Sequence, residues 1–399
     1  MTHSTSKRWD IFCKIVDNYG DIGVCWRLSQ QLAIEHNLQI RLFIDDMAAA
    51  KKIITALDVT EQNPVSSQVV NGVEICAWPT PENSVEAQPA GVVLETFSCE
   101  LPAFYIQQMM LQGSLWINLE YLSAEHWVSD FHAKPSPQPT LAITKHFFFP
   151  GFKEDTGGLI REANLTAQRN SFINSKEQQT MFWQSIGVTV TPSFIENSIK
   201  ISLFCYPQAD VAGLIETLKT ANQPISLLIP HNSLIAATIE KLGSVNLENS
   251  LKNNKEIQLG SLTIHMLPFL SQTDYDHLLW ACDLNFVRGE DSWIRAIWAE
   301  KPFIWQPYIQ TDETHILKLK AFLDLYLNAA TPEIKSLVNE AQLAWSSAST
   351  NAIMPISALI NQLPALCAYA KQITNILAMQ PDLATKLVIF SENLEKNKV

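Results

Sequence analysis

The sequence predicts an α/β protein with two doubly wound domains, and three observations support this prediction. Short apolar segments of strand length alternate with helical stretches, as in parallel sheets whose strands are joined by crossover helices. The chain has 399 residues, which is too long for one ordinary core. A polar stretch near the middle of the chain separates two successive sets of predicted strands.

The first set of elements belongs to a predicted N-terminal domain over residues 1–186. Its strands are short runs rich in Val, Ile, Leu, Phe and Trp, a composition that favours buried strands. The predicted strands are 9–16, 38–44, 73–78, 92–97, 115–119 and 141–148. Helices are predicted at 24–36 and 101–112, and a polar stretch from 167 becomes helical up to 186.

The second set belongs to a predicted domain over residues 199–375, after a linker at 187–198. Its predicted strands are 199–206, 225–229, 262–269, 284–287 and 303–306. Its predicted helices are 210–220, 273–282, 291–300 and 314–326, and the chain is helical from about 332. The segment 376–399 is expected to be a C-terminal helix that could pack back on the first domain. Ligands of open α/β sheets bind at the carboxyl ends of the strands, so two such edges could face each other across a cleft.

Composition and charge exclude several classes of protein. The net charge of −12 with no basic stretch to offset it argues against nucleic acid as a partner. No apolar run of about 18 residues is present, so no membrane span is expected. The N-terminus lacks the apolar core of a secretory signal. Seven cysteines without CxxC spacing favour reduced thiols and a cytoplasmic protein.

The most informative segment runs from 283 to 310. A buried strand leads into Arg288, Gly289, Glu290, Asp291 and Ser292, and a helix follows at once. A glycine turn that opens on a helix N-terminus beside a cation favours a bound phosphate. The alternative is an ordinary crossover with Ser292 as the N-cap. Two acidic residues in this turn would be repelled by phosphate, so capping the helix, binding sugar hydroxyls or orienting the arginine suits them better.

A second constellation follows the first strand, in the loop that contains Asp17, Asn18, Tyr19, Gly20 and Asp21. Two aspartates four positions apart at the carboxyl end of a strand would lie at the edge where ligands bind. One of them could serve as a general base. Turn formation and helix capping are the alternative roles.

Two aromatic residues at predicted strand ends, Tyr206 and Phe269, could stack on a base or belong to the core. The turn at Gly157 and Gly158 reads as a structured loop. The motifs of several other sites are absent: the dinucleotide fingerprint GxGxxG, the P-loop, the nucleophile elbow GxSxG and HExxH. The histidines do not have metal-ligand spacing.

The segment 283–310, with Asp312 shortly after it, resembles the donor-binding segment of GT-B glycosyltransferases. A narrower resemblance is to the EarP family of bacterial protein-arginine rhamnosyltransferases, which act on translation elongation factor P (EF-P). The segments that carry it are IFCKIVDNYGDIGVCWRLSQQLA (11–33), ETFSCELP (95–102), LWINLEYLSAE (115–125), PSPQ (135–138), GFKEDTGGLIRE (151–162) and RGEDSWIRA (288–296). It covers about the first 165 residues and 200–325.

This resemblance implies a GT-B fold of two Rossmann-like domains facing each other across a cleft. It implies inverting transfer of L-rhamnose from dTDP-β-L-rhamnose to an arginine nitrogen of EF-P, which activates EF-P to rescue ribosomes stalled at polyproline. No metal or other cofactor is expected. The N-terminal domain would take the acceptor, and the second domain would take the donor.

The resemblance also implies residue roles. Asp21 is the expected catalytic base, with Asp17 and Glu290 as further catalytic residues. The residues expected at the donor site are Asn18, Tyr19, Gly20, Tyr206, Phe269, Arg288, Gly289, Glu290, Asp291 and Ser292. Two departures are visible: the family often has Phe at the position of Tyr19, and Pro207 follows Tyr206 where a polar or basic residue is expected.

Two alternatives remain open at the level of the sequence. A GT-B transferase that uses another nucleotide sugar or a small-molecule acceptor has the same pattern of elements. A non-catalytic nucleotide-binding protein on this fold has it as well, because fold alone does not determine function. An NAD-dependent dehydrogenase is disfavoured by the missing GxGxxG.

Overall fold

The structure is a computed structural model that describes residues 7–16, 19–59, 67–82, 88–230, 256–309, 313–346 and 355–396. The chain forms two compact units. One comprises Met1–Ala163 with Ala378–Val399, and the other is Asn164–Leu377. Each unit contains a largely parallel sheet with helices packed on it, which confirms the predicted α/β class with two Rossmann-like domains.

The first unit holds a sheet of eight strands among the described residues. They are β1 (Arg8–Cys13), β2 (Gln39–Ile44), β3 (Ser67–Val70), β4 (Val73–Ala77), β5 (Val92–Thr96), β6 (Leu115–Leu119), β7 (Pro135–Pro137) and β8 (Thr144–Phe148). Their order is β3-β4-β2-β1-β5-β6-β8-β7. The outermost strands β3 and β7 pair antiparallel with their neighbours, and the others pair parallel.

The second unit holds a sheet of six strands among the described residues. They are β9 (Ile199–Leu203), β10 (Ile225–Pro230), β11 (Glu256–Leu259), β12 (Leu262–Leu267), β13 (Leu284–Arg288) and β14 (Phe303–Gln306). Their order is β11-β12-β10-β9-β13-β14, with β11 antiparallel at one edge. Long side chains of Ile, Leu, Val and Phe fill both faces of these strands, as expected for a sheet covered by helices on both sides.

Helices connect and cover the strands. They are α1 (Gly20–Glu35), α2 (Met47–Ile53), α3 (Ala103–Gln112), α4 (Trp127–Phe131), α5 (Leu165–Ile173), α6 (Lys176–Ser185), α7 (Val211–Leu218), α8 (Gln272–Ala281), α9 (Asp291–Trp298), α10 (Thr314–Tyr326), α11 (Pro332–Ser346), α12 (Ile356–Asn361), α13 (Leu363–Leu377) and α14 (Leu383–Lys396). A π turn at Ser193–Asn197 precedes β9. Among the described residues, no helix has the length and apolar character needed to cross a bilayer.

Each sheet changes its winding direction beside the first strand of its unit. In the first unit β1 lies between β2 and β5, and in the second β9 lies between β10 and β13. Loops from neighbouring strands then diverge at the carboxyl edge and leave room for a ligand. The topology therefore points to two places: the ends of β1 and β5 in the first unit, and the ends of β9 and β13 in the second.

Residues 164–186 lie in the second unit, whereas the sequence analysis placed them in the first. The reason is a set of long-range contacts that the sequence pattern does not predict. Arg169 donates to the backbone oxygen of Trp298 at 2.6 Å. The ring of Phe172 stacks on His277, with centroids 4.5 Å apart. Helices α5 and α6 therefore pack on α8 instead of on the first sheet.

The last helix, α14, belongs to the first unit. Lys386 donates to the backbone oxygens of Glu154 and Thr156, each at 2.8 Å. Gly158 has a positive φ of 76°, and a Cβ there would lie 2.8 Å from the backbone oxygen of Pro381. The glycine pair in 151–162 is thus a structured loop that receives the C-terminal segment, the reading that the sequence analysis favoured.

Several element boundaries differ from the predicted ones. The helix predicted to begin at 24 begins at Gly20, because the Gly23 amide already donates to Tyr19 O at 2.9 Å. Five predicted strands extend beyond the observed carboxyl ends: 9–16, 73–78, 92–97, 199–206 and 262–269. The strand predicted at 141–148 instead begins three residues too early, and those at 225–229 and 284–287 end one residue too early. The short antiparallel strands β3, β7 and β11 were missed. All seven cysteines are free thiols, in agreement with the prediction.

Candidate active site

The carboxyl edge of the second sheet presents an arginine over two aromatic rings. The guanidinium carbon of Arg288, at the end of β13, lies 4.5 Å from the ring centroid of Phe204 and 4.5 Å from that of Tyr206. Alternate residues of an extended segment point to the same side, so Phe204 and Tyr206 face Arg288 while Cys205 is buried behind them. Such cation–π contacts fix the plane of a guanidinium and contribute about 0.5–2 kcal/mol.

Tyr206 is anchored from its backbone. Its amide donates to Gln306 Oε1 at 2.8 Å, and Gln306 ends the neighbouring strand β14. The Tyr308 ring meets the Tyr206 ring edge-on, with centroids 5.6 Å apart, and is 56% exposed. Tyr206 is thus built into the wall of the site despite Pro207, the departure noted in the sequence.

The turn after β13 contains a glycine, which lets a ligand approach the backbone closely. Gly289 has a φ of 64°, a conformation that L-residues with a side chain rarely adopt. Its carbonyl accepts a hydrogen bond from Trp305 Nε1 at 2.8 Å. Trp305 in turn stacks on Trp293 of α9, with centroids 3.7 Å apart. The turn is therefore fixed to a rigid aromatic pair at the base of the helix.

The helix that follows presents its N-terminus to the same edge. Glu290 is the N-cap residue of α9, and its side chain does not cap the helix. Asp291 accepts from Gln272 Nε2 at 3.3 Å. Ser292 is buried in the first turn, so it is not the N-cap that the alternative reading required. The first amides of a helix have no partners within the helix and favour an anion.

An unpaired hydrogen-bond donor of Arg288 also indicates an anion site at this edge of the sheet. Within the described residues Arg288 Nε is buried and has no hydrogen-bond partner. Buried donors in folded proteins are nearly always satisfied, by protein, water or a ligand. A guanidinium held flat beside the start of a helix suits the oxygens of a phosphate or diphosphate.

Phe269 lies farther along the same edge. It follows β12, which is separated from β9 by β10. Its side chain is 42% exposed, which removes the core alternative for this residue. Its role at a donor site stays a prediction.

The first unit carries a buried carboxylate where its own sheet changes winding direction. Asp21 is 3% exposed and lies in the first turn of α1. Its Oδ2 accepts from the Val16 amide at 2.8 Å, and its Oδ1 accepts from the Tyr121 hydroxyl at 3.2 Å. Position in the first turn places the charge where the helix dipole favours it. The carboxylate is therefore held in one orientation at the edge where a ligand would bind.

The other predicted residues of this loop are less informative. Tyr19 is the N-cap residue of α1 and Gly20 its first residue. Asp17 and Asn18 lie outside the described residues, as does Asp312 of the second unit. Within the described residues no group of three or more His, Cys, Asp or Glu side chains could hold a metal ion.

Comparison with known proteins decides the family. The chain matches the family described as "Elongation-Factor P (EF-P) rhamnosyltransferase EarP" over residues 9–392. It is 42% identical over 387 residues to a protein-arginine rhamnosyltransferase of Pseudomonas putida, covering 96% of this chain and 98% of that protein. The chain belongs to the EarP family.

Other relatives of this EarP family member agree. A protein-arginine rhamnosyltransferase of Shewanella oneidensis is 38% identical over 402 residues, covering 98% of both proteins. A solved structure described as the structural basis for EarP-mediated arginine glycosylation of translation elongation factor EF-P is 32% identical, with a TM-score of 0.66. That likeness covers 97% of this chain and 99% of the other. The chain is therefore a glycosyltransferase built from two Rossmann-like units.

Two residues at these sites were not predicted from the sequence. Phe204 looked like one more apolar residue of the strand 199–206, although its spacing of two from Tyr206 was a usable signal. Tyr121 stood within the quoted segment 115–125 without an assigned role. Both became visible only when neighbouring strands placed them beside Arg288 and Asp21.

Proposed function

We propose that the chain transfers L-rhamnose from dTDP-β-L-rhamnose to an arginine side chain of EF-P, with inversion at the anomeric carbon. Membership of the EarP family and relatives named protein-arginine rhamnosyltransferase support the reaction class. The solved relative concerned with EF-P supports the acceptor. The second unit would bind the donor, and the first would present the base to the acceptor.

The observation that carries the donor assignment is the position of Arg288 over Phe204 and Tyr206, at the start of α9. Loss of a diphosphate leaving group places negative charge on its oxygens as the bond breaks. A preoriented guanidinium and the amides of a helix N-terminus can stabilise that charge without rearranging. We propose that these groups do so without a metal ion.

Glu290 and Asp291 then have a role that does not oppose the diphosphate. Both lie at the start of α9, two and three residues after Arg288. Carboxylates are good acceptors for the hydroxyl groups of a sugar. We assign Glu290 to the transferred sugar, where it also acts in catalysis. We assign Asp291 to the sugar hydroxyl of the nucleoside and Ser292 to the diphosphate.

The arginine of the acceptor is a poor nucleophile, and a carboxylate of the first unit can activate it. A guanidinium has an ordinary pKa above about 12, so it is protonated and its nitrogens are poor nucleophiles. A carboxylate can orient it through charge-assisted hydrogen bonds and accept a proton as the nitrogen attacks. Asp21 is buried, oriented and in the first turn of a helix, as that task requires. Asp17 is the second carboxylate that the resemblance assigns to this loop.

The reaction balances simply. A guanidinium nitrogen forms a bond to the anomeric carbon as the bond between that carbon and the dTDP oxygen breaks. The nitrogen's proton passes to Asp21, and the electron pair of the broken bond leaves with dTDP. Inversion requires that attack come from the face of the sugar opposite the leaving group.

Two measurements test the proposal. Thermal shifts with a panel of nucleotide sugars should show the largest stabilisation with dTDP-L-rhamnose; a larger shift with another sugar would favour a transferase of different donor specificity. Nuclear magnetic resonance of the glycosylated product should show an α-linked rhamnose if the β-linked donor is inverted. A β-linked product would exclude the single-displacement mechanism.

A further inference from the structure

Two sequence segments with no role in the proposed reaction meet at the edge of the first sheet. The segment 95–102 begins with the last two residues of β5 and continues beyond it, and 115–125 contains β6 and the residues after it. β5 and β6 are parallel neighbours, and β5 lies next to β1, whose loop leads to Asp21. The carboxyl ends of all three strands therefore share the edge that carries the buried aspartate.

The backbone after β5 is held in an unfavourable conformation. Phe97 and Ser98 have positive φ values of 55° and 54°, in the left-handed region that non-glycine residues avoid. Hydrogen bonds to β6 and its loop hold it there: the Phe97 amide donates to Leu119 O at 2.7 Å, and the Ser98 amide donates to Asn118 Oδ1 at 3.2 Å. The strained turn directs the Phe97 side chain to a defined place.

That place is the ring of Tyr121. The two rings stack with centroids 4.2 Å apart and planes 10° apart. Tyr121 is 41% exposed, so the core packs against only part of its ring. The stack on Phe97 restrains one face of the ring.

The restrained ring ends in a hydroxyl that donates to Asp21 Oδ1 at 3.2 Å, while Oδ2 accepts from the Val16 amide at 2.8 Å. One fixed donor on each oxygen sets the plane of the carboxylate. A phenol is also uncharged, so it orients Asp21 without repelling a cationic acceptor, as a lysine or arginine at this position would.

We propose that Tyr121, held by its stack on Phe97, is a positioning residue that sets the orientation of Asp21 for proton acceptance from the acceptor guanidinium. This inference rests on the proposed function. It predicts an effect on the chemical step and none on donor binding, because Tyr121 is not among the residues assigned to the donor and its hydroxyl donates to the proposed base.

The test compares Tyr121→Phe with the wild type in initial-rate assays on EF-P at varied dTDP-L-rhamnose. Removing one hydrogen bond to a charged group should lower kcat by about tenfold. KM for the donor should stay unchanged. Phe97→Leu, which keeps the hydroxyl but removes the stack, should lower kcat in the same direction.

Tyr369→Phe is the matched control. Its hydroxyl donates to Tyr326 O in the second unit, so the variant also loses a tyrosine hydrogen bond, away from either site. It should lower the melting temperature and leave kcat unchanged. If the wild type glycosylates EF-P and Tyr121→Phe matches its kcat, or raises donor KM instead, the positioning role is wrong. If the wild type transfers no sugar to EF-P, the proposed function itself fails.

Discussion

The guanidinium of Arg288 lies 4.5 Å from the ring centroid of Phe204, across the boundary between two neighbouring parallel strands. The contact joins the end of β13 to the residue just after β9, where the sheet changes its winding direction. It orients a cation at the place where α/β sheets bind their ligands. The pair would therefore hold the cation that binds the donor diphosphate.

Replacing Arg288 should weaken donor binding more than it weakens folding. Arg288→Ala removes a charge-assisted contact to diphosphate, so the Kd for dTDP should rise by about tenfold to a hundredfold. Arg288→Lys keeps the charge but loses the planar guanidinium, and should recover only part of the affinity. Isothermal titration with dTDP measures both. An unchanged Kd in Arg288→Ala would remove the diphosphate assignment.

Phe204 should strengthen dTDP binding by orienting Arg288, and not only by filling space. Phe204→Leu keeps an apolar side chain but removes the aromatic face, a loss of about 0.5–2 kcal/mol of cation–π energy. The Kd for dTDP should rise by about 2- to 30-fold. In an Arg288→Ala background the same substitution should have little further effect. Equal effects in both backgrounds would show that the ring acts independently of the arginine.

Much of this architecture follows from sequence pattern, and the limits of prediction have physical causes. Apolar runs of strand length such as 115–119 and 303–306 are read correctly, because burial on both faces requires continuous apolar sequence. Short edge strands such as Pro135–Pro137 are missed, because partner pairing and not composition creates them.

At the candidate site, too, some residues were predicted from the sequence and others were missed. Arg288 and Asp21 are predicted from the sequence as candidate site residues, because charges beside glycines at strand ends are conspicuous. Phe204 and Tyr121 are missed because their importance arises from contacts across strands, between positions far apart in sequence. The placement of 164–186 is missed for the same reason, since Arg169 meets its partner 129 positions along the chain.

The first unit should depend strongly on one buried ion pair. Arg41 Nε and Nη2 donate to Asp10 at 2.7 and 2.8 Å, and Tyr105 and the Ala90 amide also donate to this carboxylate. Asp10→Asn should therefore lower the free energy of unfolding by about 3–5 kcal/mol, because it leaves a buried arginine uncompensated.

The control for that substitution is an exposed pair of the same unit. Lys7 Nζ lies 2.6 Å from Glu395 Oε2, with side chains 51% and 37% exposed. Lys7→Ala should cost less than about 1 kcal/mol. Urea unfolding followed by tryptophan fluorescence measures both variants, and similar losses in the two would contradict the role given to burial.

Acid should destabilise the first unit through His132. Burial, with a smaller contribution from Lys386, lowers the pKa of His132 to about 4. Its Nδ1 accepts a hydrogen bond from the Phe149 amide at 3.1 Å, which requires an unprotonated nitrogen. Between the ordinary pKa of about 6.5 and 4, the unfolded chain binds more protons at this group, so stability falls as pH falls.

His132→Asn isolates that contribution. An asparagine oxygen can accept from the same amide but does not titrate. Melting temperatures recorded from pH 7 to 4 should fall more steeply in the wild type than in the variant. Parallel curves would show that acid acts through other groups.

The central claim is tested most directly by intact-mass analysis of EF-P after incubation with the chain and dTDP-L-rhamnose, with Asp21→Asn as the paired control. EF-P should gain the mass of one deoxyhexose, and fragmentation should place it on an arginine. Asp21→Asn should abolish the gain while its Kd for dTDP stays near the wild-type value. No gain with the wild type, or full activity in Asp21→Asn, would contradict the account.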